Sequence, residues 1–235
     1  MAIPQDVISG LVQVLTPILL VLSFALLKVI KTKSEKLLKE IKDQAAHDPS
    51  LMPKRISMDV NVYNELFRLL FMSNASRAYV LQFHNGSVFN TNNPIWKFSK
   101  SYEICNNGVT SEVETTQNIL IAHMSHLLNP LFNNSDPMIT GIKHVDTPSC
   151  TSFIKNNNFK VYKATADKIS HYYISSYLLN RSIRECVYAP IFDINNNIIG
   201  LICLDYCNEY QYDEMNDPSI IKELYKVSAK ISEQI

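Results

Sequence analysis

The run Gln82-Phe83-His84-Asn85-Gly86 brings an imidazole and two amides together at the end of an apolar segment. Such groups hold a polar ligand by hydrogen bonds, with the loop from Ser87 to Pro94 as a cover. Without a ligand, the same residues read as an Asn85-Gly86 turn with His84 closing a strand edge. Tyr102, Glu103 and Asp205 fall in other predicted strands, and a carboxylate beside His84 would orient it as an acid or base. The expected ligand-binding residues are Gln82, His84, Asn85, Tyr102 and Asp205; no catalytic residue is assigned, and the residues name no cofactor.

His123 and His126, at i,i+3 on a predicted helix, could reach one metal, but only His144 and Cys150 stand near enough in sequence to complete a ligand set. Cys203 and Cys207, four apart in a strand, share a face and read as core or strand-end thiols. There is no P-loop, no G-x-S-x-G and no dinucleotide-binding glycine pattern, and five glycines in 235 residues leave little for a phosphate cradle. Basic and acidic residues balance at 22 each, so the charge excess of a nucleic-acid binder is absent.

The elements that must position these residues follow from periodicity. Asp59 to Asn74 repeats apolar residues at helical spacing; Arg77 to His84 and Lys97 to Cys105 alternate as strands. Glu112 to Phe132 reads as helix, Met138 to Val145 as extended chain, and Thr165 to Leu179 as helix with Ile169, Tyr172, Tyr173 and Tyr177 as anchors. Glu185 to Tyr206 is a hairpin around Asn195-Asn196-Asn197, and Pro218 to Ile235 is an amphipathic helix opened by Asp217 and Pro218. The fold class is α+β, an antiparallel sheet flanked by helices.

Ahead of this domain, Val7 to Leu27 carries no ionisable side chain and spans roughly 32 Å as a helix, enough to cross a bilayer core. Lys28, Lys31, Lys33, Lys36, Lys39 and Lys42 follow it, while Asp6 alone precedes it; the rule for basic flanks puts the long C-terminal part in the cytoplasm. The expected organisation is a tail at 1–6, a transmembrane helix at 7–30 contacting the lipid bilayer from Val7 to Ile30, a stalk and linker at 31–53, and a globular domain at 54–235 in a single-pass inner-membrane protein. Gly10, Gln13, Thr16, Pro17 and Ser23 share one side of the span, a stripe suited to helix contact in lipid and hence to a homo-oligomer. Five cysteines, an odd number in or beside apolar runs, fit a reducing compartment.

Ala189-Pro190-Ile191-Phe192-Asp193 followed by Ile198-Ile199-Gly200-Leu201-Ile202 resembles the hairpin of the GAF/PAS sensory superfamily: a strand entered at proline, a short turn, and an apolar strand containing glycine. The resemblance covers roughly residues 57 to 235. It implies a sheet backed by its first and last helices, a small-molecule ligand, and a non-enzymatic sensing or interaction role in which Asp59 to Asn74 and Pro218 to Ile235 pack together and pair with a second copy. The cyclic-nucleotide signature and the bilin-attachment cysteine motif of some such domains are not present. The hairpin with Pro190, Phe192, Asn196 and Gly200 is also similar to that of T-type holins of T-even bacteriophages, which implies the alternative of a lysis protein forming membrane lesions through its transmembrane helix.

Overall fold

The computed structural model describes residues 23, 24, 26–37, 49–88, 94–133, 136–145, 159–207 and 218–235. The chain divides into two compact units, 1–55 and 56–235. In the first, residues 26–37 are helical and expose Leu26, Leu27, Val29 and Ile30. Most of the expected span at 7–30 lies outside the described residues; among those described, no helix is long and apolar enough to cross a membrane.

The second unit is an α+β domain. Helix α1 (Met52–Ser73) buries Val62, Leu66, Leu69, Leu70 and Ser73, one stripe of its surface. It starts seven residues before the apolar periodicity becomes visible, because Pro53 in the first turn lacks only an N–H that has no helical partner there. It stops at Asn74, whose φ of 50° is the left-handed conformation of a helix C-terminus.

Strands β1 (Arg77–Val88), β2 (Pro94–Cys105), β3 (Ile119–Leu120), β4 (Ile142–His144), β5 (Tyr162–Thr165), β6 (Glu185–Phe192) and β7 (Ile198–Tyr206) form one antiparallel sheet in the order β3-β2-β1-β7-β6-β5-β4. Helices α2 (Ser125–Asn133) and α3 (Tyr172–Leu179) lie between strands in sequence, and α4 (Pro218–Ser232) closes the chain. The sheet is covered on both faces. On one, Ala78, Val80, Ile202 and Leu204 pack against α1 and against Ile220, Leu224, Val227 and Ile231 of α4. On the other, Tyr79, Phe98, Tyr188, Leu201 and Cys203 pack against Met124, Leu128, Ile174 and Leu178. The backing of the sheet by its first and last helices is the arrangement the GAF-like resemblance implies. Lys230 of α4 ties the two helices by a 2.5 Å ion pair to Glu65 of α1.

Several local readings change. Residues 112–120 are not helical: Lys100 N–H donates to the Thr116 carbonyl at 2.9 Å and the Gln117 amide to the Lys100 carbonyl at 2.8 Å, so this segment follows β2, and helix starts only with a 3-10 turn at Ile121–Met124 that leads into α2. Thr165 ends a strand, because Tyr162–Thr165 pairs with β6, and the α-helix begins only at Tyr172. Ile169 is buried as an anchor, whereas Tyr172 is 85% exposed. Asn85-Gly86 does not turn the chain; β1 continues through it, with a register shift between Asn85 and Ser87 that leaves Gly86 unpaired.

The hairpin forms around Asp193, whose Oδ1 accepts the N–H groups of Asn195 at 2.9 Å and Asn197 at 2.8 Å, while Asn196 takes φ 64°. Pro190 lies inside β6, not at its entry. It is tolerated because β5 pairs only as far as Tyr188, so no neighbour on that side asks for its missing N–H. Gly200 faces the neighbouring strand: a Cβ there would run into the Leu81 carbonyl oxygen on β1. The glycine lets two strands approach.

Candidate functional site

A β-bulge builds the site. Val80 pairs with Tyr102 and Leu81 with Lys100, so Ser101 is an extra residue on β2. In a regular strand Lys100 and Glu103, three apart, would point to opposite faces. The extra residue turns Lys100 to the side of Tyr79 and Glu103, where its Nζ lies 2.5 Å from Glu103 Oε1 and 4.0 Å from the centre of the Tyr79 ring.

Around this pair a buried ionic cluster assembles from distant parts of the chain. Arg77 opens β1 and donates to the Thr110 carbonyl at 3.0 Å and the Arg181 carbonyl at 3.3 Å. Its guanidinium also faces Glu112 at 3.5 Å and Asp205 at 3.7 Å. Glu112 reaches Arg181 Nε at 3.3 Å, and Arg181 lies over the Tyr177 ring at 3.9 Å. Glu103 accepts further bonds from the Ser111 hydroxyl and the Glu112 N–H, each at 2.6 Å. Asp205, wholly buried on β7, accepts from the Tyr79 hydroxyl at 2.9 Å. Arg77, Lys100 and Arg181 thus meet Glu103, Glu112 and Asp205, and their formal charges cancel.

The titrations follow from this packing. Burial pushes the Asp205 carboxyl up to about 6, against the pull of Lys100, Tyr79 and Arg77. Burial acts on Glu103 the same way, yet the bonds from Lys100 and Ser111 outweigh it and hold that carboxyl below its ordinary value. The Cys186 thiol, beside Cys203 and buried, is raised well above the usual thiol range, which leaves it protonated and a poor nucleophile. Burial raises the Tyr177 phenol to about 12.

The cluster forms one end of a cavity of about 40 Å³ between the sheet and the cover made by α2 and α3. Lys100, Glu112, Thr116 and Arg181 line the polar end; Leu81, Phe83, Phe98, Leu128, Ile174 and Leu201 are among the apolar walls. Pockets that enclose drug-sized ligands measure roughly 300–1,000 Å³. As it stands, the space admits only a few atoms.

The sheet separates the five residues expected to bind ligand. Asp205 belongs to the cluster on the cavity face. Gln82, His84 and Tyr102 belong to the face that carries α1: Gln82 accepts from the Ser101 hydroxyl, His84 Nε2 shares a 2.9 Å hydrogen bond with Ser99, and Tyr102 donates to Asp59 at 2.6 Å. Asn85 is exposed beyond the covered part of the sheet. His84 and Asp205 therefore do not form an acid–base pair.

Arg77, Lys100, Glu112 and Arg181 carry no spacing signal in the sequence; they meet only through the bulge and the segment that follows β2. Among the described residues no group of His, Cys, Asp and Glu could hold a metal. His123 bonds the Tyr173 hydroxyl at 3.1 Å, His126 packs on His171 with ring centres 4.8 Å apart, and His144 packs edge-on against Tyr162; Cys150 lies outside the described residues. Cys203 is buried on the cavity face and Cys207 stands past the strand end near Arg77.

No protein-family model matches the sequence, and no curated protein matches it. Solved structures similar to this chain include the blue-light-absorbing form of the Thermosynechococcus elongatus PixJ GAF domain (11% identity, 80% of this chain and 90% of that one, TM-score 0.45). Another is the phycoerythrobilin-bound GAF domain of a cyanobacterial phytochrome (15% identity, 75% and 95%, TM-score 0.38). A third is a domain of a putative two-component sensor histidine kinase protein from Sinorhizobium meliloti 1021 (11% identity, 74% and 88%, TM-score 0.40).

Proposed function

We propose that this chain is a membrane-anchored, non-enzymatic GAF-like sensing module that takes a small molecule between its sheet and the α2–α3 cover. The observation that carries the reading is the cavity itself: apolar walls ending in a polar cluster, under two helices of only nine and eight residues. Apolar walls with a few convergent polar groups suit an amphipathic ligand. Anything larger than a few atoms must lift the cover, and that movement is the signal such a module would transmit, provided the ligand favours the lifted state. Against catalysis stand the mutual pairing of the charged groups and the protonated Cys186 thiol.

Titration of the full chain with 1-anilinonaphthalene-8-sulfonate tests the cavity, because the dye joins an aromatic body to one anionic head. One saturable site is expected, weakened at least tenfold by Leu128→Phe, which fills the cavity wall, and unchanged by Phe67→Glu on the outer surface of α1. A folded Leu128→Phe protein that binds as the wild type does would remove the cavity from the proposal.

The anchor at residues 7–30 is supported by the uncharged run and the six lysines within fifteen residues of it. With the five native cysteines replaced, Ser135→Cys is expected to resist a membrane-impermeant thiol reagent in intact spheroplasts and to react after lysis. Labelling of intact spheroplasts would place the domain outside the cytoplasm and turn attention to the lysis-protein alternative, whose lesion-forming helix falls mostly outside the described residues.

A further inference from the structure

The cavity has a direction, and its two ends differ in kind. Its floor follows β2 from Lys100 to Phe98, with Leu81 and Phe83 of β1 opposite them. Trp96 comes next on that face, because no register shift falls between it and Phe98, and it is 51% exposed. Phe132 of α2, 52% exposed, packs on Phe83 with ring centres 5.9 Å apart. The four residues from Lys100 to Trp96 cover about 13 Å. Along that path the walls are apolar, and the Tyr188 hydroxyl among them is already bonded to the Leu127 carbonyl at 2.8 Å. Unpaired donors stand at the other end. Thr116 is 1% exposed, and its hydroxyl lies near the Tyr177 phenol but forms no hydrogen bond. Arg181 Nε faces Glu112 at 3.3 Å without the alignment of one. Both residues line the cavity, where a buried donor without an acceptor is costly.

We infer that the molecule taken by this cavity is a straight hydrocarbon chain ending in one carboxylate, its head on Thr116 and Arg181 and its tail toward Phe132 and Trp96. The inference rests on the ligand-binding reading of the cavity and names the class of ligand. With carbon–carbon bonds of about 1.5 Å in zigzag, about ten carbons cover the 13 Å from head to mouth. Shape selects a chain, since a body one methylene wide lifts the short α2–α3 cover less than fused rings would. Chemistry selects the head: two donors without partners match the two oxygens of a carboxylate. Charge limits it to one negative unit. The six charges of the cluster cancel, and Glu112 at that end is held between Lys100 at 3.8 Å and Arg181. One further anion is offset by a proton on buried Asp205, whereas the second charge of a phosphate finds no counter-charge.

The test uses the full chain in amphipol, so that no free detergent competes, with straight-chain carboxylates of six to sixteen carbons displacing 1-anilinonaphthalene-8-sulfonate. Affinity is expected to rise about fourfold per added methylene and to level off near ten carbons, where the tail passes Trp96. Trp96 is the single tryptophan and reports the orientation. 11-Bromoundecanoate, brominated at the tail, is expected to quench its emission; 2-bromodecanoate, brominated beside the head, is expected to leave it unchanged. Thr116→Val is expected to weaken decanoate roughly tenfold without lowering the melting temperature, because the hydroxyl it removes has no partner in the free protein. Dye binding with no dependence on chain length means a compact ligand, which overturns the inference and leaves the cavity reading standing. Equal quenching by the two bromoacids, or an affinity that climbs without levelling, overturns it as well. If neither dye nor carboxylate binds, both readings fall.

Discussion

Lys100→Met is expected to lower the unfolding free energy by about 3–5 kcal/mol at pH 7, the cost of leaving a buried carboxylate without its cation. Glu103 has no exposed side-chain surface, and Lys100 is its closest cation, at 2.5 Å. Arg77, at 4.0 Å, is too distant to replace it, and the bonds from Ser111 and the Glu112 N–H place the loss toward the lower part of that range. Adding Glu103→Gln is expected to recover most of the loss, since removing both charges spares the desolvation that a lone one suffers. Urea unfolding followed by the fluorescence of Trp96, the single tryptophan, measures both variants. A loss below 1 kcal/mol for Lys100→Met alone would show that Glu103 is solvated or neutral. The same pair gives a pH signature. Because the folded carboxyl of Glu103 titrates below its ordinary value, its stabilisation is present above the unfolded value of about 4.5 and fades as pH falls through the folded one.

Asp205 works in the opposite sense. Its carboxyl has an ordinary value of 3.8 and rises to about 6 in the fold. Between these values the folded protein keeps a proton that the unfolded chain has released. The contribution of Asp205 to stability is therefore greatest at the acid end of the window, is lost as pH rises through it, and is constant above. The full displacement, from 3.8 to about 6, corresponds to about 3 kcal/mol. Asp205→Asn removes the titration while keeping an oxygen for the Tyr79 hydroxyl. Unfolding free energies of the two proteins at pH 4 and pH 7 should show the wild type losing about 2 kcal/mol relative to the variant, since pH 4 already lies just inside the window. A difference that stays level across that interval would mean that Asp205 is ionised in the fold throughout. Protonation of Asp205 also leaves the cluster with one net positive charge, next to the polar end where Lys100 and Arg181 line the cavity, so an anionic ligand would bind more tightly near pH 5 than at pH 7.

These two variants probe a cluster that only the folded chain assembles. Six ionic residues come from β1, β2, the segment after β2, the turn after α3, and β7, separated by up to 128 positions from Arg77 to Asp205. The strand Lys97 to Cys105 was legible, but its alternation misleads. Phe98, Tyr102 and Ile104 share a parity, yet Phe98 faces the cavity while Tyr102 and Ile104 face α1, because the unpaired Ser101 reverses the faces between them. Local spacing therefore assigns Lys100 to the wrong side, and with it the whole polar end of the cavity. His84 shows the converse: its sequence neighbourhood suggests a site, and the pleat places it with Ser99 on the face opposite Asp205.

Features that rest on one uninterrupted period were readable along the chain. Val62, Leu66 and Leu69 on α1 and Ile220, Leu224, Val227 and Ile231 on α4 repeat at the helical interval and are buried as that repeat requires. The β6–β7 hairpin is equally local, with both strands buried and its turn held by Asp193 two to four residues away. Which polar groups meet depends on the folded chain, because a bulge shifts every residue beyond it to the other face and because a buried charge is stable only beside a partner, here as far as 128 positions away for Arg77 and Asp205. The folded chain also decides that one apolar stripe of α1 belongs to the core and the next is left on the surface, a distinction that two equally apolar repeats on a single helix do not make.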